Sequence, residues 1–290
     1  MIILPKVRGT YRENAELKTW FDVGGKAEVM FRPADFNDLA DFLKNRDKTI
    51  PLNIIGAGSN VIVSDEGVKG VTIRFPGEFA KISQEGENIR ARAAALCGNV
   101  ALYSKNCGLS GLEFFSGVPG SVGGAIAMNA GCYGSDISQT LISATALDYD
   151  GNFHEIKNSD FHFFYRGSEI AKKFIFVEGV FKLQKSDIDT VAKKISELNI
   201  QRENAQPIRA KTGGSTFKNP AQKRAWELID EAGCRGKIIG DAQISQKHCN
   251  FMINRGSATA QDLIILGNEV KKLVKEKSGI DLEWEIKILK

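Results

Sequence analysis

The sequence contains few of the residues that build metal sites and disulfide frameworks. Among 290 residues there are three histidines, His154, His162 and His248, and five cysteines with no C-x-x-C pair. Zinc ligands usually come in closely spaced pairs, and small disulfide-bonded proteins carry cysteines more densely. The scattered cysteines therefore predict reduced, buried thiols, and we expect no metal site.

Long apolar runs are also missing. No stretch approaches the roughly 18 apolar residues of a membrane span, and the apolar start of the chain ends at Pro5 and Lys6, before a signal-peptide core forms. The net charge of +4 is mild, and no basic stripe is interleaved with aromatic residues. We therefore expect a cytoplasmic protein with neither a membrane nor a nucleic acid as partner. A monomer is expected as well, although neither charge nor hydropathy decides it.

Glycine, by contrast, is abundant, at 29 of 290 residues. Eight of these glycines fall in the 27 residues from Gly108 to Gly134, and Gly56 and Gly58 lie between two apolar runs. A backbone without Cβ atoms can approach a ligand closely and turn its N–H groups toward an anion. Gly56-Ala-Gly58 alone is more often a tight turn, but the longer segment fits neither a hairpin turn nor a P-loop.

Changes of pattern along the chain predict an α+β protein of two domains. The first half is typical of short strands around one helix, predicted at 27–31, 52–55, 61–63, 71–75 and 89–93, with the helix at 33–46. After a strand at 174–183 the pattern becomes more helical, with helices predicted from 188 toward Pro207, from Pro220 to Gly233 and between Thr259 and Gly279, and a final strand over 282–288. We place the first domain at 1–185, subdivided near residue 75, and the second at 186–290.

Six segments in this order resemble the signatures of the UDP-N-acetylenolpyruvoylglucosamine reductase family. They are residues 51–63, residues 108–134 with Ser-Gly-Val-Pro-Gly-Ser-Val-Gly-Gly-Ala at 116–125, Phe-Tyr-Arg-Gly-Ser at 164–168, Gly-Gly-Ser-Thr-Phe-Lys-Asn-Pro at 213–220, residues 225–240, and Leu-Glu-Trp-Glu at 282–285. The resemblance implies an FAD-binding fold of the vanillyl-alcohol-oxidase and p-cresol-methylhydroxylase type, with two α+β subdomains, and a smaller C-terminal α+β substrate domain.

The resemblance also implies a reaction. NADPH would reduce noncovalently bound FAD, and hydride would pass from the flavin N5 to the vinyl carbon of UDP-N-acetylglucosamine enolpyruvate. The product would be UDP-N-acetylmuramate, a peptidoglycan precursor for the cell wall. Two alternatives stay open: another FAD oxidoreductase of the same fold, and a non-catalytic flavin-binding module.

Three catalytic residues and two substrate contacts follow from the same resemblance. Arg166 would hold the substrate carboxylate and, with Glu285, stabilise the enolate, while Ser215 would deliver the proton; Tyr165 and Asn219 would contact substrate. Without the resemblance these residues have ordinary interpretations, as a surface cation, a turn serine, a solvated strand residue or a helix cap. A donor role for Glu285 also requires burial that raises the pKa of its carboxyl group.

The two glycine clusters supply the predicted FAD contacts. By resemblance these are Gly56, Gly58, Ser59, Asn60, Gly117, Pro119, Gly120, Ser121, Gly123 and Gly124. Between Arg166 and Ser215 lie 48 residues and no tyrosine. This short interval resembles the compact group of the family, which lacks an inserted loop whose tyrosine closes over the substrate.

Overall fold

In the computed structural model, which describes residues 2–290, short strands alternate with helices. The α-helices are α1 Phe36–Asn45, α2 Cys97–Asn106, α3 Val122–Ala127, α4 Ile188–Ala205, α5 Ala225–Glu231 and α6 Ala260–Ser278. The strands are β1 Thr10–Glu16, β2 Lys26–Arg32, β3 Leu52–Ile54, β4 Val61–Val63, β5 Val68–Ile73, β6 Ile82–Glu85, β7 Asn88–Arg92, β8 Leu109–Ser110, β9 Gly131–Cys132, β10 Ser135–Asp136, β11 Leu141–Asp148, β12 Phe153–Lys157, β13 Phe163–Phe164, β14 Gly167–Ser168, β15 Phe174–Lys182, β16 Gln184–Lys185, β17 Ile238–Ile239, β18 Ala242–Ile244, β19 Met252–Asn254 and β20 Lys287–Leu289.

The chain divides into two compact units, each assembled from separate stretches. Residues 2–13, 29–57 and 70–200 form the first unit, and residues 14–28, 58–69 and 201–290 form the second. The second unit thus draws on two early segments that no change of sequence pattern marks. The domain boundaries inferred from the sequence stay a prediction.

Two hydrophobic cores organise the first unit. One lies against an antiparallel sheet of order β12-β11-β15-β7-β6 and buries Phe115, Ile126 and Phe181 beneath α2 and α3. The other packs α1 through Phe42 and Leu43 against a sheet of order β1-β2-β5-β3, in which β3 and β5 run parallel. Residues 10–13, 29–32, 52–54 and 70–73 of that sheet lie in this unit. The amphipathic pattern predicted for α1 is confirmed.

The second unit is built around α6. Thr259 Oγ1 accepts from the Asp262 N–H at 3.0 Å, while Asp262 accepts from the Thr259 N–H at 2.9 Å, and Gly279 ends the helix in the left-handed region at φ +74°. The apolar face of α6 packs against α5 and the sheet β17-β18-β19, burying Leu263 and Val270. The predicted caps of this helix are confirmed.

Several elements differ from the sequence prediction. The strands β1, β11 and β12 and the helix α2 were not predicted, and α1 begins at Phe36 and not at Pro33, because the Asp35 side chain caps it there. Two further boundaries also differ. The helix expected from Pro220 begins at Ala225, because the side-chain oxygen of Asn219 accepts from the Ala225 N–H at 3.0 Å and sets the first turn. The last strand is only β20, because the preceding residues leave the ladder and bond instead to the segment around Thr216. None of the helices in residues 2–290 combines the length and apolar character of a membrane span.

Candidate active site

The two glycine clusters meet in the first unit at Gly56 and Ser121. A Cβ atom added to Gly56 would lie 2.5 Å from the Ser121 Oγ, although 3.8 Å from the Ser121 Cβ. Ser121 is buried and precedes α3, and it forms an antiparallel bridge with Leu96. A residue with a Cβ at position 56 would have to displace the Ser121 hydroxyl. Two loops that are 65 positions apart in the sequence therefore form one backbone surface.

The segment before Ser121 is held by backbone packing. The Gly120 carbonyl accepts from the Cys97 N–H at 3.0 Å, and Gly117 lies against the Cys132 Sγ and the Tyr133 ring. Pro119 lies between them, after a 3₁₀ turn that ends at residue 117. Burial raises the pKa of the Cys97 thiol to about 12, so this thiol is neutral at physiological pH.

Gly123 and Gly124 have different surroundings. The Gly123 N–H donates to the Ala93 carbonyl at 3.0 Å, and an added Cβ would lie 2.9 Å from the Ala93 Cβ. An added Cβ at Gly124 would meet nothing within 4 Å, and this residue is exposed. Gly123 therefore packs α3 against the protein, whereas Gly124 leaves backbone accessible to a ligand.

The three remaining predicted flavin contacts lie in the second unit. Gly58 has φ +70°, and its carbonyl accepts from the Trp20 N–H at 3.0 Å. Ser59 is buried and Asn60 is partly buried at the start of β4. The Asn60 Nδ2 donates to the Glu285 carbonyl at 3.0 Å, and its own carbonyl accepts from the Lys287 N–H at 3.0 Å. Asn60 thus holds the main chain of a predicted catalytic residue, a contact that sequence reasoning did not predict.

Ser215 and Glu285 lie on adjacent segments of the second unit. The Thr216 carbonyl accepts from the Glu285 N–H at 2.9 Å, and Phe217 forms an antiparallel bridge with Trp284. On its other side, Ser215 forms an antiparallel bridge with Phe251. The structure therefore brings the predicted proton donor and the predicted acid together through main-chain pairing.

Glu285 and Glu283 are distinguished by their environments. The Glu285 residue is half-buried, whereas the Glu283 carboxylate is 72% exposed and pairs with Lys218 at 2.6 Å. A surface ion pair of this kind contributes little to stability. The sequence prediction gave no catalytic role to Glu283, and its pairing with a lysine is an ordinary surface role.

Arg166 occupies the tip of a tight hairpin in the first unit. Residues 165 and 166 connect β13 to β14, and Arg166 has φ +63°, in the region that residues with a Cβ rarely adopt. Its guanidinium carbon lies 4.9 Å from the centroid of the exposed Tyr165 ring.

Asn219 makes the contact described above and is exposed. The N-cap of α5 is Arg224, so Asn219 supports the first turn of the helix without being its N-cap. A substrate contact would be an additional role.

The comparisons with known proteins agree along the whole chain. A model described as the C-terminal domain of UDP-N-acetylenolpyruvoylglucosamine reductase matches residues 206–289, and one described as an FAD binding domain matches residues 27–157. A relative named UDP-N-acetylenolpyruvoylglucosamine reductase from Wolbachia sp. subsp. Drosophila simulans (strain wRi) is 47% identical and covers 100% of this chain and 99% of its own length. A relative of the same name from Parvibaculum lavamentivorans is 48% identical, with 98% and 92% covered.

A solved structure agrees as well. The crystal structure of UDP-N-acetylenolpyruvylglucosamine reductase from Thermus caldophilus aligns with a TM-score of 0.84 at 31% identity, covering 98% of this chain and 100% of that one. The chain belongs to the UDP-N-acetylenolpyruvoylglucosamine reductase family. The resemblance and the α+β, FAD-binding fold inferred from the sequence are confirmed.

Within this reductase fold, two buried asparagines were missed by sequence reasoning. Asn129 has φ +42°, and its Nδ2 donates to the Phe164 carbonyl at 3.1 Å, beside the Arg166 hairpin. Asn250 lies in the second unit and bonds to the main chain of Phe217. Asn250 sits between apolar neighbours in the sequence, and a lone amide in an apolar run is the signal that could have identified it.

Most of the short interval between Arg166 and Ser215 consists of strands and one helix. Residues 167–214 contain β14, β15, β16 and α4. The assignment of this reductase to the compact group of its family stays a prediction.

Proposed function

We propose that this chain is the FAD-dependent, NADPH-using reductase of UDP-N-acetylglucosamine enolpyruvate, with UDP-N-acetylmuramate as product. Full-length relatives with the reductase name and the matched FAD-binding domain support this activity in peptidoglycan precursor synthesis. The observation that carries the chemistry is the hydrogen bond from the Glu285 N–H to the Thr216 carbonyl, which keeps Glu285 next to the Ser215 segment. The cytoplasmic location, the monomeric state and the 1–185 and 186–290 domains stay predictions.

The residues of the glycine clusters fit an FAD diphosphate. Gly56 is closely packed against the Ser121 hydroxyl, and Gly124 leaves backbone open to solvent. Such backbone can approach phosphate oxygens more closely than side-chain-bearing residues allow. We assign FAD contacts in the first unit to Gly56, Gly117, Pro119, Gly120, Ser121, Gly123 and Gly124, and in the second to Gly58, Ser59 and Asn60. When bound, FAD would supply the hydride for the vinyl carbon after NADPH has reduced it.

Arg166 would hold the enolpyruvyl carboxylate. A guanidinium stays protonated at all relevant pH values and can grip a carboxylate with two parallel hydrogen bonds. The hairpin turn and the Tyr165 ring restrict the freedom of the Arg166 side chain. Less conformational entropy is then lost when the substrate binds. Tyr165 is exposed beside the guanidinium and would contact the same substrate.

Ser215 would give the proton to the carbon that bears the carboxylate. A serine hydroxyl is a weak acid, so the negative charge on the enolate must be stabilised as the proton moves. Arg166 would stabilise the negative charge of the enolate, and a protonated Glu285 would donate a hydrogen bond to the enolate. Glu285 is half-buried and its N–H donates to the Thr216 carbonyl, which supports a fixed position beside the Ser215 segment. Asn219 would contact the substrate diphosphate.

The test is anaerobic stopped-flow absorbance on the purified protein. We expect bound flavin that NADPH bleaches and that UDP-N-acetylglucosamine enolpyruvate then reoxidises, with a product heavier by two hydrogen atoms. Protein that binds no flavin even after refolding with FAD would refute the proposal. Reduced flavin that the enolpyruvyl substrate does not reoxidise, but that oxygen does once air is admitted, would indicate another oxidoreductase. Bound flavin without any turnover would indicate a binding module.

A further inference from the structure

The segment that carries Ser215 is fixed from two sides in the second unit. On one side the Thr216 N–H donates to the Asn250 carbonyl at 2.7 Å, and the Met252 N–H donates to the Thr216 hydroxyl at 3.2 Å. On the other side the Thr216 carbonyl accepts from the Glu285 N–H. Thr216 is fully buried. Any shift of this segment therefore moves Ser215 and changes its relation to Glu285.

The side chain of Asn250 makes the most specific contacts with this segment. Its Oδ1 accepts from the Phe217 N–H at 2.9 Å, and its Nδ2 donates to the Phe217 carbonyl at 2.8 Å. One amide side chain thus satisfies both main-chain groups of a fully buried residue, as a neighbouring strand would. Asn250 itself is only 3% exposed, so water cannot easily replace these bonds.

The packing before Ser215 completes the arrangement. A Cβ atom at Gly213 would overlap the Phe21 ring, so the backbone is closely packed there. Gly214 follows with φ +79° and open space around its Cα. Ser215 therefore lies between Gly214, whose left-handed backbone suits glycine, and the segment that Asn250 holds.

We propose that Asn250 is a positioning residue for proton delivery: its amide, by clamping the Phe217 main chain, sets the place of the Ser215 hydroxyl relative to Glu285. The inference rests on the proposed function, because it assumes that Ser215 gives the proton. Asn250 would act through Ser215, because its side chain bonds to the Phe217 main chain two residues on.

The first experiment separates the two half-reactions of Asn250→Ala by stopped-flow absorbance. Flavin reduction by NADPH should match that of the wild type, whereas reoxidation by the enolpyruvyl substrate should be about 100-fold slower, the effect expected for a group misplaced by about 1 Å. Leu263→Ala, at a fully buried position on α6 in the same core, is the control for lost stability. It should unfold at a lower temperature but keep the wild-type ratio of the two rates.

A double variant tests whether Asn250 acts through Ser215. The combination Ser215→Ala with Asn250→Ala should reoxidise no more slowly than Ser215→Ala alone, because the positioned group is already gone. Multiplied effects, or a rate ratio in Asn250→Ala equal to that of Leu263→Ala, would overturn the inference. If Asn250→Ala does not fold, Asn250→Asp keeps the acceptor for the Phe217 N–H, loses the amide donor, and should show the same selective loss. A wild type without flavin or without turnover would refute the proposed function and not this inference specifically.

Discussion

The contact between Gly56 and Ser121 allows a quantitative test of the predicted FAD loop. In Gly56→Ala the new Cβ would lie 2.5 Å from the Ser121 Oγ, far inside an ordinary van der Waals contact. Overpacking of this kind typically costs about 1–3 kcal/mol. Gly56 has an ordinary negative φ, so the backbone itself tolerates alanine. Because the Ser121 hydroxyl can turn away by rotation about one torsion, we expect the free energy of unfolding to fall by about 1 kcal/mol, the lower end of this range.

The structure also predicts how that loss is reversed. The clash involves only the hydroxyl oxygen, since the new Cβ would be 3.8 Å from the Ser121 Cβ. Gly56→Ala combined with Ser121→Ala should therefore recover most of the lost stability, as a favourable coupling in a double-mutant cycle.

The cycle compares the wild type, Gly56→Ala, Ser121→Ala and the double variant. Urea unfolding of the apoproteins measures the coupling, and flavin fluorescence titration measures the FAD affinity of the same four proteins. Gly98→Ala is the control, because Gly98 is a helical glycine of α2 with nothing within 4 Å of an added Cβ; it should gain about 0.5–1 kcal/mol. A Gly56→Ala protein as stable as the wild type, or no recovery in the double variant, would show that the two loops do not meet as described.

Three further outcomes are expected. Ser215→Ala should reduce its flavin with NADPH normally but be reoxidised by substrate about 10²- to 10⁴-fold more slowly; equal slowing of both steps would contradict its role as proton donor. Arg166→Gly should be at least as stable as the wild type in thermal unfolding, because glycine removes a backbone strain of about 1–2 kcal/mol at φ +63°, yet it should lose substrate-driven reoxidation. A clear loss of stability would mean that Arg166 is kept for structure. Burial lowers the pKa of His248 in the folded protein, and its Nδ1 accepts from the Asn250 N–H at 3.3 Å. The unfolded chain therefore takes up the proton first, so stability should be full above a pH of about 6.5 and fall below it. In urea unfolding at several pH values, His248→Gln should lose less stability on acidification than the wild type, and parallel losses would refute this assignment.

Local patterns in the sequence predicted part of the secondary structure. The helical spacing of apolar residues identified α1 and α6, and apolar runs or alternation identified seven strands, β2 to β5, β7, β15 and β20, because each pattern reflects one buried face of one element. The strands β1, β11 and β12 were not predicted. The caps of α6 were predictable for the same reason, since Thr259 and Gly279 act on the residues next to them. The last strand was predicted too long because alternation records burial and does not record which backbone partner is available.

The glycine clusters and the motif residues were also evident from the sequence, but their neighbours were not. The bond from Asn60 to Glu285 joins residues 225 positions apart, and the bonds from Asn250 to Phe217 join residues 33 apart. No periodicity encodes such pairs, because they depend on how distant segments are brought together during folding. The sequence by itself determined the family, the α+β class and the residue types available for chemistry. Only the tertiary structure decided that Gly56 packs on Ser121 and that Asn250 clamps the Ser215 segment, since buried polar groups take whichever partners the folded chain leaves within hydrogen-bond distance.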